Sequence, residues 1–283
     1  MSTSKKRIMK RKLFIIAALA FTASSSAQGP RGVFPIQCDF LGVDKFTVLD
    51  EAEYKFSYKL TCVIDTVEKK SIVNNLVLLV GKEYSKFFNI YPPHPEVKPG
   101  ATGVHTDESR GLGATEVYKN ISTKKMTVTT RIYEPRADVF FYEEDIPMQT
   151  WTLTSESKKI HGYDCRKATT RYLGRNYEAW YTLEIPISNG PWKLGGLPGM
   201  ILEAYDIQRH FVFDCVGIEK LKKPESIVKY DWHYVEKSRK DLQKVIEKFH
   251  DDPLAYITGV LWGRVSTNRV SSKSKPYNPL ERE

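Results

Sequence analysis

From Tyr54 the chain alternates aromatic or aliphatic residues with Lys, Ser and Thr (YKFSYKLTCVIDT), the period-two pattern of a strand with one face in water. Asn74 and Asn75 then introduce LVLLVG, a short buried strand. Strand patterns recur in EVYKN, MTVTTRIYEP and DVFFYEED, each bounded by charged or turn-forming residues at the spacing of an antiparallel meander. Residues 151–187 read as a strand, a turn near Gly162 and a hairpin folded at 174–176, and residues 200–205 and 210–216 as two more strands across a turn near Gln208. One helical period stands out over 239–249, where Leu242, Val245, Ile246 and Phe249 share a face, Ser238 is placed to cap and Asp251 to Pro253 stop the run. Residues 91–113 hold eight Pro and Gly, a density incompatible with a regular element. Many short strands with one late helix predict a mostly β fold, a curved antiparallel sheet or half-open barrel with one C-terminal α-helix, because such a sheet must bury a face on itself or on the helix. A single domain is expected over 28–265, followed by a polar tail, 266–283, that adds little to the core.

The first 27 residues change the reading of charge. Six Lys/Arg precede the apolar run from Leu13 to Phe21, and TASSSAQ follows, the order of a secretory signal with cleavage after Ala27. The apolar run is too short to cross a bilayer as a helix, so no transmembrane helix is expected in the mature chain, and an extracytoplasmic location follows, periplasmic or at the cell surface. The formal charge of +9 then falls to +3, with 37 basic residues against 34 acidic. No basic cluster is interleaved with aromatics in the way a nucleic-acid groove needs, and nucleic-acid binding is set aside. The four cysteines, Cys38, Cys62, Cys165 and Cys215, suit one or two disulfides in an oxidising compartment, with the pairing open.

Residues 180–206, WYTLEIPISNGPWKLGGLPGMILEAYD, carry the most distinctive motif. Gly195, Gly196 and Gly199 supply positive φ or close approach, and Pro198 fixes one φ without offering an N–H, so the chain is steered abruptly between strands. Trp192 and Leu197 would pin this turn to the sheet. The GLPGMI of 196–201 resembles the signature of the GLPGLI family of Bacteroidota. So do Trp151, Gly162-Tyr163-Asp164-Cys165-Arg166-Lys167-Ala168, Gly174-Arg175, Ala179-Trp180-Tyr181-Thr182, Ile185-Pro186-Ile187 and Gly190-Pro191-Trp192-Lys193. Weaker likeness extends to residues 81–87 and 249–253, and Met200 replaces the usual Leu, a volume-conserving swap. The resemblance implies a secreted or periplasmic component, often linked with TonB-dependent outer-membrane transport and without an agreed activity. A related module resembles the N-terminal bowl-shaped domain of a bacterial glycoamidase, which implies an accessory role, and no catalytic residues come with it.

No complete catalytic template is present: there is no Gly-x-Ser-x-Gly, His-Glu-x-x-His or Walker lysine. His94, His105, His161, His210, His233 and His250 lack ligand spacing, so neither a metal nor a cofactor is expected. The run Glu143-Glu144-Asp145 is a solvated turn or a set of paired carboxylates, the latter giving a hydrolase reading with Arg175 beside it. Trp151, Tyr163, Tyr177, Trp180, Tyr181 and Trp192 crowd into some forty residues, either as core or as the lining of a concave ligand site. The expected contact residues are Arg175, Trp180, Tyr181, Trp192, Leu197 and Pro198. The reading is a non-catalytic binding or accessory protein whose partner is an outer-membrane transporter or another envelope protein, against an extracytoplasmic hydrolase or a purely structural envelope protein.

Overall fold

The computed structural model describes residues 45–89, 115–131, 139–256, 274 and 277–283. The signal segment, Cys38 and the loop of 91–113 with His94 and His105 lie outside these. Twelve strands run in chain order: β1 (Phe46–Asp65), β2 (Lys70–Val80), β3 (Tyr84–Asn89), β4 (Thr115–Asn120), β5 (Lys125–Thr130), β6 (Val139–Asp145), β7 (Thr152–Ile160), β8 (Tyr163–Tyr172), β9 (Arg175–Thr182), β10 (Met200–Asp206), β11 (Phe211–Tyr230) and β12 (Tyr234–Glu236). A helix, α1 (Arg239–Asp251), follows. All twelve strands belong to one sheet, ordered β12-β6-β5-β4-β3-β2-β1-β11-β10-β9-β8-β7. Its pairs are antiparallel except β12 with β6. The fold is mostly β, a single curved sheet with a late helix.

The period-two pattern sets which face is buried. Phe56, Tyr58, Leu60, Cys62 and Ile64 of β1 all point to the main core, and register places Phe56 beside Leu78, Tyr58 between Leu76 and Cys215, and Leu60 beside Phe213. These rows form the inner face. The alternate residues Val77, Leu79 and Phe88 join Ala52 and Ile227 in a smaller cluster. β11 runs for 20 residues through Pro224, because pairing jumps from Ala52 opposite Glu225 to Tyr54 opposite Lys220 and leaves the proline in a bulge. A bulge removes the need for an N–H there and adds twist.

Two hairpins turn on residue pairs with positive φ, His161 and Gly162 (51° and 86°) and Leu173 and Gly174 (45° and 75°), the geometry that matches strand twist. The second turn lies earlier than the expected 174–176, so Arg175 opens β9 rather than capping the hairpin tip.

Residues 183–199 fill the bowl. Ile185, Trp192, Leu194 and Leu197 are buried in the main cluster. Their loop touches strands from distant places in the sheet order: Asn189 Nδ2 donates to Ser85 Oγ of β3 at 2.9 Å, Lys119 Nζ of β4 donates to Asn189 Oδ1 at 2.9 Å, and Lys193 Nζ donates to Tyr142 Oη of β6 at 2.7 Å. The sheet therefore curls until β3 to β6 face β8 to β10 across the loop. Leu242 of α1 is buried, with Val245, Ile246 and Phe249 packed on the same cluster, and Ser238 Oγ accepts from Asp241 N at 3.1 Å as the sequence predicts.

The expected disulfides are not seen among the described cysteines. Cys62, Cys165 and Cys215 are buried, and no bridge joins any two of them. They pack on inward strand positions as small apolar side chains, and burial pushes the Cys165 and Cys215 thiols up to about 11.

Two expectations follow for stability. A Cβ on Gly199 would lie 1.9 Å from the Thr182 carbonyl oxygen, whereas one on Gly162 meets nothing within 4 Å. Gly199→Ala should therefore cost on the order of 4 kcal/mol or abolish folding, and Gly162→Ala only the roughly 1–2 kcal/mol of a left-handed residue; comparing their urea midpoints checks this. Lys119 Nζ donates to two neutral groups, Asn189 Oδ1 at 2.9 Å and the Leu194 carbonyl at 2.8 Å, and burial pulls its pKa down to about 7. Its unfolded pKa is about 10.4, so above pH 7 the unfolded chain holds the extra proton. Its contribution to stability then rises with pH, with a limiting slope of about 1.4 kcal/mol per unit, and is lost as pH falls towards 7. Unfolding at pH 7 and pH 8.5 should show wild type gaining stability relative to Lys119→Met, and a constant difference would sink the assignment.

Candidate functional site

The strands carry the expected contact residues into the bowl, where most become core. Trp180, Tyr181, Trp192 and Leu197 are 7%, 2%, 1% and 2% exposed, so the aromatic crowd lines the packed interior instead of an open ligand surface. Trp192 sits at φ 53°, its ring 5.8 Å from that of Tyr172 and 6.5 Å from that of Tyr177. Gly196 and Pro198 remain exposed at the rim, next to Trp151, whose indole N–H donates to the Gly195 carbonyl at 2.8 Å. Met200 is fully buried against the Tyr58 hydroxyl, which donates to the Ile201 carbonyl at 2.6 Å.

Arg175 pairs with a carboxylate, but it does so inside the protein. It is buried, with Nη1 donating to Asp206 Oδ2 at 2.9 Å and the guanidinium 4.6 Å from the Phe211 ring centre. Its other donors meet the tail: Nε reaches the Leu280 carbonyl at 3.1 Å, and Nη2 reaches Asn278 Oδ1 at 2.8 Å and the Pro279 carbonyl. Desolvation lowers the Arg175 pKa, and Asp206 opposes that shift. The tail thus corrects the expectation that it adds little to the core, since Leu280 is buried in the main cluster. Composition hid this because five of the seven residues of 277–283 are charged, amide or proline.

The second charged centre forms around Lys193, whose side chain is 0% exposed. It donates to Tyr142 Oη at 2.7 Å, Glu144 at 2.8 Å and Glu281 of the tail at 2.9 Å. Arg239, the first residue of α1, stands 3.9 Å from Glu144 and 3.6 Å from Glu281. Burial, with the Glu144 and Glu281 carboxylates adding to it, pushes the Tyr142 and Tyr172 hydroxyls well above their ordinary range. Both remain neutral. Sequence reasoning passed over Lys193, although it closes the Gly-Pro-Trp-Lys motif, because an isolated lysine gives no sign of burial.

The acidic run splits across the strand. Glu144 faces the bowl; Glu143 accepts from Thr127 Oγ1 at 3.0 Å, and Asp145 pairs with Lys125 at 2.7 Å at the exposed edge. Arg175 binds Asp206, and the cations beside Glu144 are Lys193 and Arg239. The constellation drawn for a hydrolase is therefore not assembled as expected. Beside this centre opens a cleft of about 500 Å³ lined by Tyr142, Glu143, Glu144, Glu236, Lys237, Ser238 and Arg239. It offers carboxylates, ammonium and guanidinium groups and hydroxyls along an aromatic edge, a lining suited to hydrogen-bonding a polar ligand.

Two of the described histidines make local contacts, His161 Nε2 lying 2.6 Å from the Cys215 carbonyl oxygen and His250 stacking 4.5 Å from the Tyr277 ring. Among the described residues no group of three His, Cys, Asp or Glu is placed to hold a metal ion, and no helix is long and apolar enough to cross a membrane.

No curated protein sequence matches the chain. Two solved structures of PNGF-II, in space groups P21 and C2, resemble it at TM-scores of 0.49 and 0.48 with 17% identity, over 70% of this chain and 33% of theirs. The chain thus spans about a third of the length of those proteins. Residues 114–243, from the threshold of β4 through the filled bowl into α1, match the family model of the N-glycanase peptide N-terminal domain.

Proposed function

We propose that this chain is a non-catalytic extracytoplasmic module of the GLPGLI type, working beside an envelope protein such as an outer-membrane transporter and presenting the Tyr142 to Arg239 cleft to its ligand. The observation that carries the reading is the use of the bowl's ionic groups. Glu144 is held by Lys193, Asp206 by Arg175, and Glu281 by Lys193 and Arg239, so these carboxylates are engaged as counter-ions, Asp206 in the packed interior and Glu144 at the border of the cleft. A general acid or base needs a reachable proton and a tuned pKa in a site that admits substrate. The open cleft instead combines hydrogen-bonding groups of both charges. The match to the N-terminal domain of an N-glycanase supports a glycan or glycoprotein as the ligand to test first.

The test has a binding arm and a turnover arm. Purified mature protein should bind N-glycans or an N-glycoprotein saturably, with affinity at least ten-fold weaker in a Glu143→Lys, Glu236→Lys variant of unchanged melting temperature. It should release no glycan on prolonged incubation. Crosslinking in the native envelope should recover a partner with wild type and lose it with the same variant. Glycan release that disappears in Glu143→Gln would replace this reading with the hydrolase, and absence of both a ligand and a partner would favour a purely structural role.

A further inference from the structure

The tail of 277–283 packs into the bowl like a bound peptide. It contributes no strand to the sheet, and among the described residues one backbone-to-backbone hydrogen bond ties it down, from Arg282 N to the Leu173 carbonyl at 3.0 Å. The remaining contacts read particular groups. Asn278 is held at both ends of its amide, Oδ1 accepting from Arg175 and Nδ2 donating to the Val63 carbonyl at 2.7 Å. The carbonyls of Pro279 and Leu280 accept from the same guanidinium. Leu280 inserts its side chain into the main core at 8% exposure, and Glu281 meets Lys193 and Arg239. The Asn278 amide and the two carbonyls after it are thus met by Arg175 and the Val63 carbonyl, the Leu280 side chain by the main core, and the acid by Lys193 and Arg239.

The body supplies these features from residues already fixed without the tail. Arg175 keeps Asp206, whose Oδ1 in turn accepts from Phe211 N at 2.7 Å, and Lys193 keeps Glu144 and Tyr142. Removing Glu281 leaves two cations, Lys193 and Arg239, facing the single carboxylate of Glu144. The groove therefore has a local excess of positive charge where the tail's acid sits, and a partly filled guanidinium fork where its carbonyls sit. A planar fork held in advance loses little freedom on binding, and an acid placed against the buried Lys193 and the half-buried Arg239 is selected over a neutral or basic residue because it alone balances them.

We infer that this groove is a peptide-recognition site for an Asn-Pro-Leu-Glu segment, filled in cis by residues 278–281 and open to the same sequence in trans. The site is separate from the proposed ligand cleft, although Glu144 and Arg239 border both. A partner carrying such a segment would dock by displacing the chain's own tail.

The experiment uses the full chain with a specific protease site in place of residues 268–273, cut after folding. The cut protein should keep a cooperative melt and exchange its tail for a fluorescent peptide of residues 277–283, read as a saturable rise in anisotropy. The uncut chain, with its tail tethered, should take up at least ten-fold less. Peptides bearing Asn278→Ala or Glu281→Lys should bind at least ten-fold more weakly than the parent. A cut chain that unfolds would show the tail to be an integral part of the fold and overturn the proposal. So would a cut chain that stays folded and takes up no peptide, or binding indifferent to the two substitutions.

Discussion

Three consecutive carbonyls inside the bowl set the terms for everything around them. A loop that crosses the concave face of a sheet takes its backbone out of water, and each polar group there costs several kcal/mol unless it finds a partner. Lys193 O accepts from Gln149 Nε2 at 3.0 Å, Leu194 O from Lys119 Nζ at 2.8 Å, and Gly195 O from the Trp151 indole at 2.8 Å. The donors come from β4 and from the approach to β7, so satisfying this one loop fixes the curvature that brings those elements together. The same demand explains why a lysine lies buried at position 119. Among the described residues no backbone donor reaches across the bowl to the Leu194 carbonyl, whereas the long Lys119 side chain does.

Much of the fold was legible because alternation is a local signal. β1 and β5 show apolar residues at every second position, β2, β4, β6, β10 and the start of β11 show as short apolar-rich runs between charged or turn-forming residues, and α1 shows both its apolar face and its cap. The second half of β11 was hidden by KLKKPE, which reads as a turn, and its pairing survives only because the bulge opposite β1 takes up the proline. β12 is three residues long and owes its existence to parallel pairing with β6. In the hairpin of β8 and β9, Gly174 announced the turn, but a leucine in the left-handed region at 173 carries no such mark. That offset moved Arg175 from an imagined tip to a buried strand position.

The candidate site was less legible than the fold, for an electrostatic reason. Its parts are single charged residues, Arg175, Lys193, Asp206 and Glu144, whose meaning depends on partners tens of residues away. Lys86 makes the contrast clear. It is buried, pairs with Glu116 at 3.3 Å and lies within about 5 Å of the Phe88, Tyr118 and Tyr230 ring centres, yet nothing adjacent in the sequence marks it as different from the exposed Lys82. Burying a cation is tolerated when a carboxylate or ring face meets it. That pairing is a property of the curled sheet, so the curl must be known before the pair can be seen.

The filled interior also constrains where this protein can meet anything else. Aromatic residues at a concave face commonly suggest a ligand bed, but here Tyr177 and Tyr181 are packed with Trp192 of the plug, residues 183–199, in one cluster that Leu242 of α1 and Leu280 of the tail also join. A ligand reaching them would have to dislodge Leu194, Leu197 and the ion pairs of Lys193 together, which is a cost comparable to unfolding that wall of the bowl. On the concave side, among the described residues, the plug leaves the Gly196 to Pro198 rim and the charged cleft at the mouth open to contact without such disruption. The tail is the exception that shows the route, because it enters along existing cations and inserts one leucine without displacing the plug. Polar recognition at the mouth and apolar packing behind it are therefore parts of one arrangement, in which the interior gives the rigidity and the charged margin gives the selectivity.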